Sequence, residues 1–344
     1  MTQATHQLSK LGVSVWLDDL SRTALKTGEL QRRITEFDVV GVTTNPAIFA
    51  TNISSDTVYQ QAIFDLQGAG LSSTDTVLKL ASEDVAAACD LLEPIYRSTA
   101  GVDGRVSIEV DPRYANDCDA TVAQAEQLWN DINKPNLMIK VPATAQGIVA
   151  TAELLARGIS VNVTLIFGIT QYRRVLNAYL TGLERARANG LDLKAIHSVA
   201  SFFVSRFDTM VDPLLPANSE LRGKGAIANA NIAYTIWEQG FESVRAKTLQ
   251  TAGANRQRLL WASTGVKNDS YADDLYITEL IGKETVNTLP PATLDSFAQK
   301  QEPLEVKLGE NTHNSKHVLD EIARSGIDYN ETVAILFALF TKPL

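Results

Sequence analysis

Lys140 stands in the stretch Leu-Met-Ile-Lys-Val-Pro (137–142), with apolar residues on both sides. A lysine is seldom buried in such surroundings unless it is paired or reactive. Only the neutral amine is a nucleophile, and a free lysine (pKa roughly 10.4) is neutral in about one molecule per thousand near pH 7.5. Apolar surroundings favour the neutral form, which is the condition that Schiff-base chemistry requires. The other reading of the same residue is a structural ion pair with Glu109 or Asp111.

Other polar residues fall at the ends of short apolar runs: Asp18, Asn45, Glu109 and Asp111, Asn162 and Thr164, Ser201 and Ser263. Each has an ordinary reading alone. Asp18 would serve as a helix N-cap, and Asn45 before Pro46 as a turn residue. As a set they imply convergence, because buried strands rarely carry so many polar side chains without a common target.

The elements that must position them are eight runs: VSVWLD (13–18), VVGVTTN (39–45), VSIEVDP (106–112), LMIKVPA (137–143), SVNVTLIF (160–167), HSVASFFV (197–204), RLLWAS (258–263) and TVNTLP (285–290). Several are almost continuously apolar, as in parallel strands covered on both faces. Helical stretches such as Gln146–Arg157, Thr170–Asn189 and Ala226–Ala252 lie between them. Eight strand–helix units in about 300 residues predict a single (β/α)8 TIM barrel with extra helices over residues 1–344, its site at the C-terminal strand ends. An open doubly wound sheet would carry a glycine-rich first turn, and DDLSRTALKTGEL after the first run has no GxGxxG. The interval from 46 to 105 reads as a helical excursion at the barrel top. The apolar run 333–340 is too short for a membrane and reads as a buried terminal helix.

Lys+Arg 31 against Asp+Glu 40 gives a net charge of −9, which argues against nucleic acid but leaves room for small phosphorylated ligands. Cys89 and Cys118 form no CxxC pair and read as buried reduced thiols. The N-terminus lacks the apolar core of a signal peptide, and no run approaches a membrane span, so the expected compartment is the cytoplasm. His313 and His317 share i, i+4 spacing without an acidic third ligand nearby, which reads as a helix surface and not a metal site. His197 reads as a core or rim histidine.

The stretches GVTTNPAIF (41–49), SIEVDP (107–112), NLMIKVPAT (136–144), ISVNVTLIF (159–167) and SFFVSRFD (201–208) strongly resemble transaldolase, above all the longer bacterial and actinobacterial kind. The resemblance runs from about Val15 to Pro290, with motifs in the same order and at the same spacing. It implies a class I aldolase-type barrel that moves a dihydroxyacetone unit between sugar phosphates in the non-oxidative pentose phosphate pathway, as a monomer or homodimer, with no cofactor and no metal. By the same resemblance Lys140 is the Schiff-base lysine and Asp18 the acid/base for carbon–carbon cleavage. Glu109 and Thr164 would hold a water for imine formation. Asn45, Asn162 and Ser201 would bind the dihydroxyacetone moiety, Phe203 would form a wall, and Arg206 and Ser263 would bind phosphate. Two positions depart from the pattern. Lys267 stands in for a second arginine often found shortly after the position of Ser263, and Ser205 replaces a glycine before Arg206. The rival readings are a fructose-6-phosphate aldolase-type enzyme of the same superfamily and a non-catalytic sugar-phosphate-binding barrel.

Overall fold

The computed structural model describes residues 4–309 and 312–341. Eight parallel strands follow one another around a closed barrel in chain order, with β1 hydrogen-bonded to both β2 and β8. They are β1 Val13–Leu17, β2 Val39–Thr43, β3 Arg105–Glu109, β4 Leu137–Pro142, β5 Val161–Ile166, β6 Ser198–Phe203, β7 Arg258–Ala262 and β8 Thr285–Leu289. The expected (β/α)8 barrel with additional helices is therefore present. Asp18, Asn45 and Ser263 lie just past the ends of β1, β2 and β7, where loops can aim them into the mouth.

The barrel interior is a separate small core of Trp16, Met138, Val199, Leu260, Ala262 and Val286. Strand side chains alternate between faces, so residues two positions further along point the same way. Asp18 follows Trp16, Lys140 follows Met138 and Ser201 follows Val199 by that step. The period of the strand thus lifts these polar groups onto the layer above an apolar floor. Trp16 fits only because its neighbour in β2 is Gly41, where an added Cβ would lie 2.4 Å from the indole. Below the floor, Arg258 seals the N-terminal end with bonds to Ser14 (2.7 Å), the Val102 carbonyl (2.6 Å) and Asp103 (2.8 Å).

Three expectations change. The stretch Ala226–Ala252 is two helices, Gly225–Phe241 and Val244–Thr251, because Ser243 adopts an extended backbone and caps the second by accepting from the Ala246 N–H. The excursion at 46–105 contains two extra helices, Pro46–Ser55 and Gln60–Gly68, but its longest helix, Ser73–Ser98, is the ordinary crossover to β3. The crossover helix and the inserted segment together brace the loop after β1: Arg22 pairs with Asp84 at 2.7 Å, and Tyr59 donates to Asp84 at 2.7 Å while accepting from the Arg22 N–H at 2.8 Å. The terminal helix, Tyr329–Phe340, is only half-buried, since Leu336 faces the core while Ile335 and Leu339 face solvent. The last residues of that segment, 342–344, lie outside the described residues. No helix among the described residues is long and apolar enough to cross a membrane.

Candidate active site

Lys140 and Glu109 are register partners on adjacent strands, and so are Lys140 and Asn162. The Lys140 ammonium, buried at the mouth, lies 3.2 Å from Glu109 Oε2 and donates to the Thr44 carbonyl at 2.9 Å. Of the two possible ion-pair partners, Glu109 is the one used. Asp111 turns away to Arg113, at 2.5 Å, and caps the short helical turn after β3. Asp18 completes the charged group. Burial pushes its carboxyl above the ordinary range, Lys140 pulls it back, and Asp19 and Glu109 push it up further. Asp18 is not a cap, because the helix Arg22–Lys26 is capped by Ser21.

A polar chain links β3, β5 and β6. Asn162 donates to Ser107 Oγ at 3.1 Å and accepts from Ser201 Oγ at 2.7 Å, and all three are buried. The chain fixes the Asn162 amide orientation. Ser107 carries no signal of its own in the sequence, although it precedes Glu109 by the same two-residue step that relates the other inward positions. Thr164 is buried, and its hydroxyl has no hydrogen-bond partner among the described residues. It sits at a break in the β5–β6 register, with Leu165 at φ +60°, a bulge of the kind that re-aims side chains beside functional sites.

Asn45 caps the helix Pro46–Ser55, its side-chain oxygen accepting from the Ile48 N–H at 3.0 Å, which leaves the amide nitrogen outside that bond. A cleft of about 370 Å³ opens beside it, lined by Phe49, Val77, Ile108 and Glu109 among others. The larger cavity, about 670 Å³, lies at the opposite barrel end around Ser14, Arg258 and His197. That end holds none of the strand-end residues. His197 there is held neutral, its pKa lowered to about 3 by burial and by Arg105 and Arg258. It is no proton carrier at neutral pH.

Phe203 ends β6 against Phe167, with ring centroids 5.0 Å apart. Phe340, from the far end of the chain, joins them at 5.4 Å from Phe167 and lies under the Arg206 guanidinium at 5.1 Å. No local sequence signal could have placed it there. Arg206 has a buried Nε without a hydrogen-bond partner. Among the described residues it forms no ion pair, with neither Asp208 nor Asp212. Both carboxylates are taken by tyrosines. Ser205 and Ser263 touch through their hydroxyls at 3.2 Å, and Ser263 adopts φ +55°. Lys267 is exposed and lines a groove with Asp212 and Arg222; neither Arg206 nor Ser263 lines that groove. Cys89 is buried and Cys118 only half-buried, both as free thiols. Among the described residues no group of three or more His, Cys, Asp or Glu side chains could hold a metal ion.

A family model described as transaldolase/fructose-6-phosphate aldolase matches residues 15–338. The chain belongs to this family. A transaldolase of Kocuria rhizophila is 52% identical over 98% of the chain and 93% of its own length. A transaldolase of an Arthrobacter species is 49% identical, and transaldolase 2 of Streptomyces coelicolor 48%, each over 98% of the chain and 92% of its own length. Such likeness along nearly the whole barrel makes the chain an enzyme of the transferase class. Lys140, Glu109 and Asp18 all fall within the matched span.

Proposed function

We propose that the chain is a cytoplasmic transaldolase that takes a dihydroxyacetone unit from fructose 6-phosphate or sedoheptulose 7-phosphate and gives it to erythrose 4-phosphate or glyceraldehyde 3-phosphate. The observation that carries this reading is a buried lysine paired with Glu109, in the field of the Asp18 carboxyl, at the C-terminal mouth of a barrel. The Lys140 amine adds to the C2 carbonyl of the ketose, and loss of water leaves a protonated imine. Glu109 and the unpartnered Thr164 hydroxyl are suited to hold the water involved. Asp18 takes the proton of the C4 hydroxyl as the C3–C4 bond breaks, and the bond electrons pass into the imine as an enamine. The aldose leaves, a second aldose phosphate accepts the enamine carbon, Asp18 returns the proton to the new hydroxyl, and hydrolysis of the resulting imine frees the product ketose and the Lys140 amine. Asn162, oriented by Ser107 and Ser201, and Asn45 present amides to the hydroxyls of the three-carbon unit.

A coupled assay with fructose 6-phosphate should show turnover rising sharply when erythrose 4-phosphate is added. Fast release of dihydroxyacetone without an acceptor would favour the aldolase reading.

Arg206, Ser263 and Lys267 form the phosphate site in this reading. A guanidinium with an unpaired buried N–H is suited to a charge-assisted bond with phosphate. Arg206→Ala should raise the Michaelis constant for fructose 6-phosphate by more than about tenfold. Its poor activity on unphosphorylated fructose should stay nearly unchanged. Equal losses on both substrates would assign Arg206 to barrel support.

A further inference from the structure

Behind the helix Ser205–Val211, which carries Arg206, two buried carboxylates lie four residues apart without a cation paired to either among the described residues. Asp208 accepts from the Ala226 N–H at 2.7 Å and from the Tyr276 hydroxyl at 2.8 Å. Asp212 accepts from the Gly223 N–H at 3.1 Å and from the Tyr271 hydroxyl at 2.7 Å. Burial, and then the neighbouring Asp212, raise the Asp208 carboxyl to about 7. For stability alone this arrangement is a poor choice, since apolar side chains of similar size would hold the same elements together without desolvating charge.

What the two tyrosines do is link loops. Both come from the segment after β7, the one that carries Ser263 and Lys267. Nearer the mouth the same two segments meet again, where Ser205 donates its N–H to the Ser263 carbonyl at 3.1 Å and their hydroxyls touch. The two segments are therefore fastened at both ends, with Arg206 on one and Lys267 on the other. The seat is close-fitting: Gly223 has φ +74°, and an added Cβ would lie 3.0 Å from the Tyr271 ring. At Gly225 a Cβ would lie 2.9 Å from Phe207 and 3.1 Å from Asp208 Oδ1.

We propose that Tyr271 and Tyr276 are positioning residues for the substrate phosphate, holding the Lys267 loop in register with Arg206 through their bonds to Asp212 and Asp208. The proposal rests on the reading of Arg206 and Lys267 as phosphate ligands. It adds specificity determinants that touch no substrate. A loop released from the clamp would still carry its lysine but would no longer hold it where a bound phosphate lies.

The test is steady-state kinetics of Tyr271→Phe, Tyr276→Phe and the double variant, with melting temperatures measured alongside. Each single variant should raise the Michaelis constant for fructose 6-phosphate about three- to tenfold, the scale of one lost hydrogen bond, with kcat within about twofold. Borohydride trapping of unphosphorylated dihydroxyacetone should proceed at the wild-type rate in all three. Asp212→Asn, which can keep the Gly223 bond on its carbonyl oxygen and donate its amide N–H to the Tyr271 hydroxyl, should stay near wild type where Asp212→Ala does not, and this pair serves if a tyrosine variant fails to fold. Unchanged Michaelis constants in the tyrosine variants, or equal losses on phosphorylated and unphosphorylated substrates, would overturn the proposal. Arg206→Ala in the same assay separates the two levels. If it leaves the Michaelis constant unchanged, the phosphate-site reading itself fails; if it raises it while the tyrosine variants do not, only the clamp fails.

Discussion

Lys140→Met should lose at least about 10⁴-fold in turnover, the scale seen when a covalent nucleophile is removed from an otherwise intact site. In the wild type, borohydride with fructose 6-phosphate should leave a three-carbon adduct on the peptide containing Lys140, and in the variant no adduct at all. Methionine has a similar length and suits the apolar floor below it, so the barrel should still close. The cost of the change falls on Glu109, which loses the ammonium 3.2 Å away and is left half-buried beside Asp18. Two neighbouring carboxylates without a cation repel, so the melting temperature should drop by several degrees at pH 8 and by less in acid, where the raised Asp18 carboxyl takes up a proton. An adduct on a different lysine, or appreciable turnover in a folded variant, would remove Lys140 from the mechanism.

That such a variant can be designed from the chain alone shows where sequence information is strong. A parallel strand buried on both faces is a short apolar run, and a charged residue inside one has few explanations. Lys140 stands out for that reason and Asp18 and Glu109 as polar ends of such runs, and the two-residue period places them on one layer. The same period would have added Ser107, which reads as an ordinary small residue until Asn162 is seen bonded to it. Other features depend on contacts between distant segments and leave no local mark. Phe340 lies under Arg206 because the terminal helix packs against the helix Ser205–Val211 and β5, and the run 333–340 only announces an apolar helix. Tyr271 and Tyr276 look like surface loop residues until the helix after β6 brings its carboxylates to them. The helix break at Ser243 was legible in kind, as a serine cap, but the apolar and small residues on either side continue a helical pattern across it. Lys267 shows the limit most clearly: the resemblance implies a phosphate ligand there, whereas its direction is set by a loop whose path the sequence does not determine.

Asp18→Asn should cost roughly 10²–10⁴ in turnover, the range for removal of a general acid/base, while imine formation continues. The two steps separate because Lys140 and its partner Glu109 are untouched, whereas no group remains to take the C4 hydroxyl proton. The imine should then accumulate before cleavage. Borohydride should trap the whole six-carbon sugar phosphate on Lys140 in place of the three-carbon unit, a mass difference that a peptide spectrum resolves. Stability should move the other way. Burial raises the Asp18 carboxyl above its unfolded value, so its contribution is fully present below that unfolded value, near pH 4, and is lost as pH rises through the raised one. Asparagine carries no charge to desolvate, so the variant should gain on the wild type as pH increases from 4 towards 8, offset in part by the lost attraction to Lys140. The gain requires that burial outweigh that attraction, which is the order of the two effects at this site. A folded Asp18→Asn enzyme with near-normal turnover, or one that yields only the three-carbon adduct, would show that the proton is carried by another group.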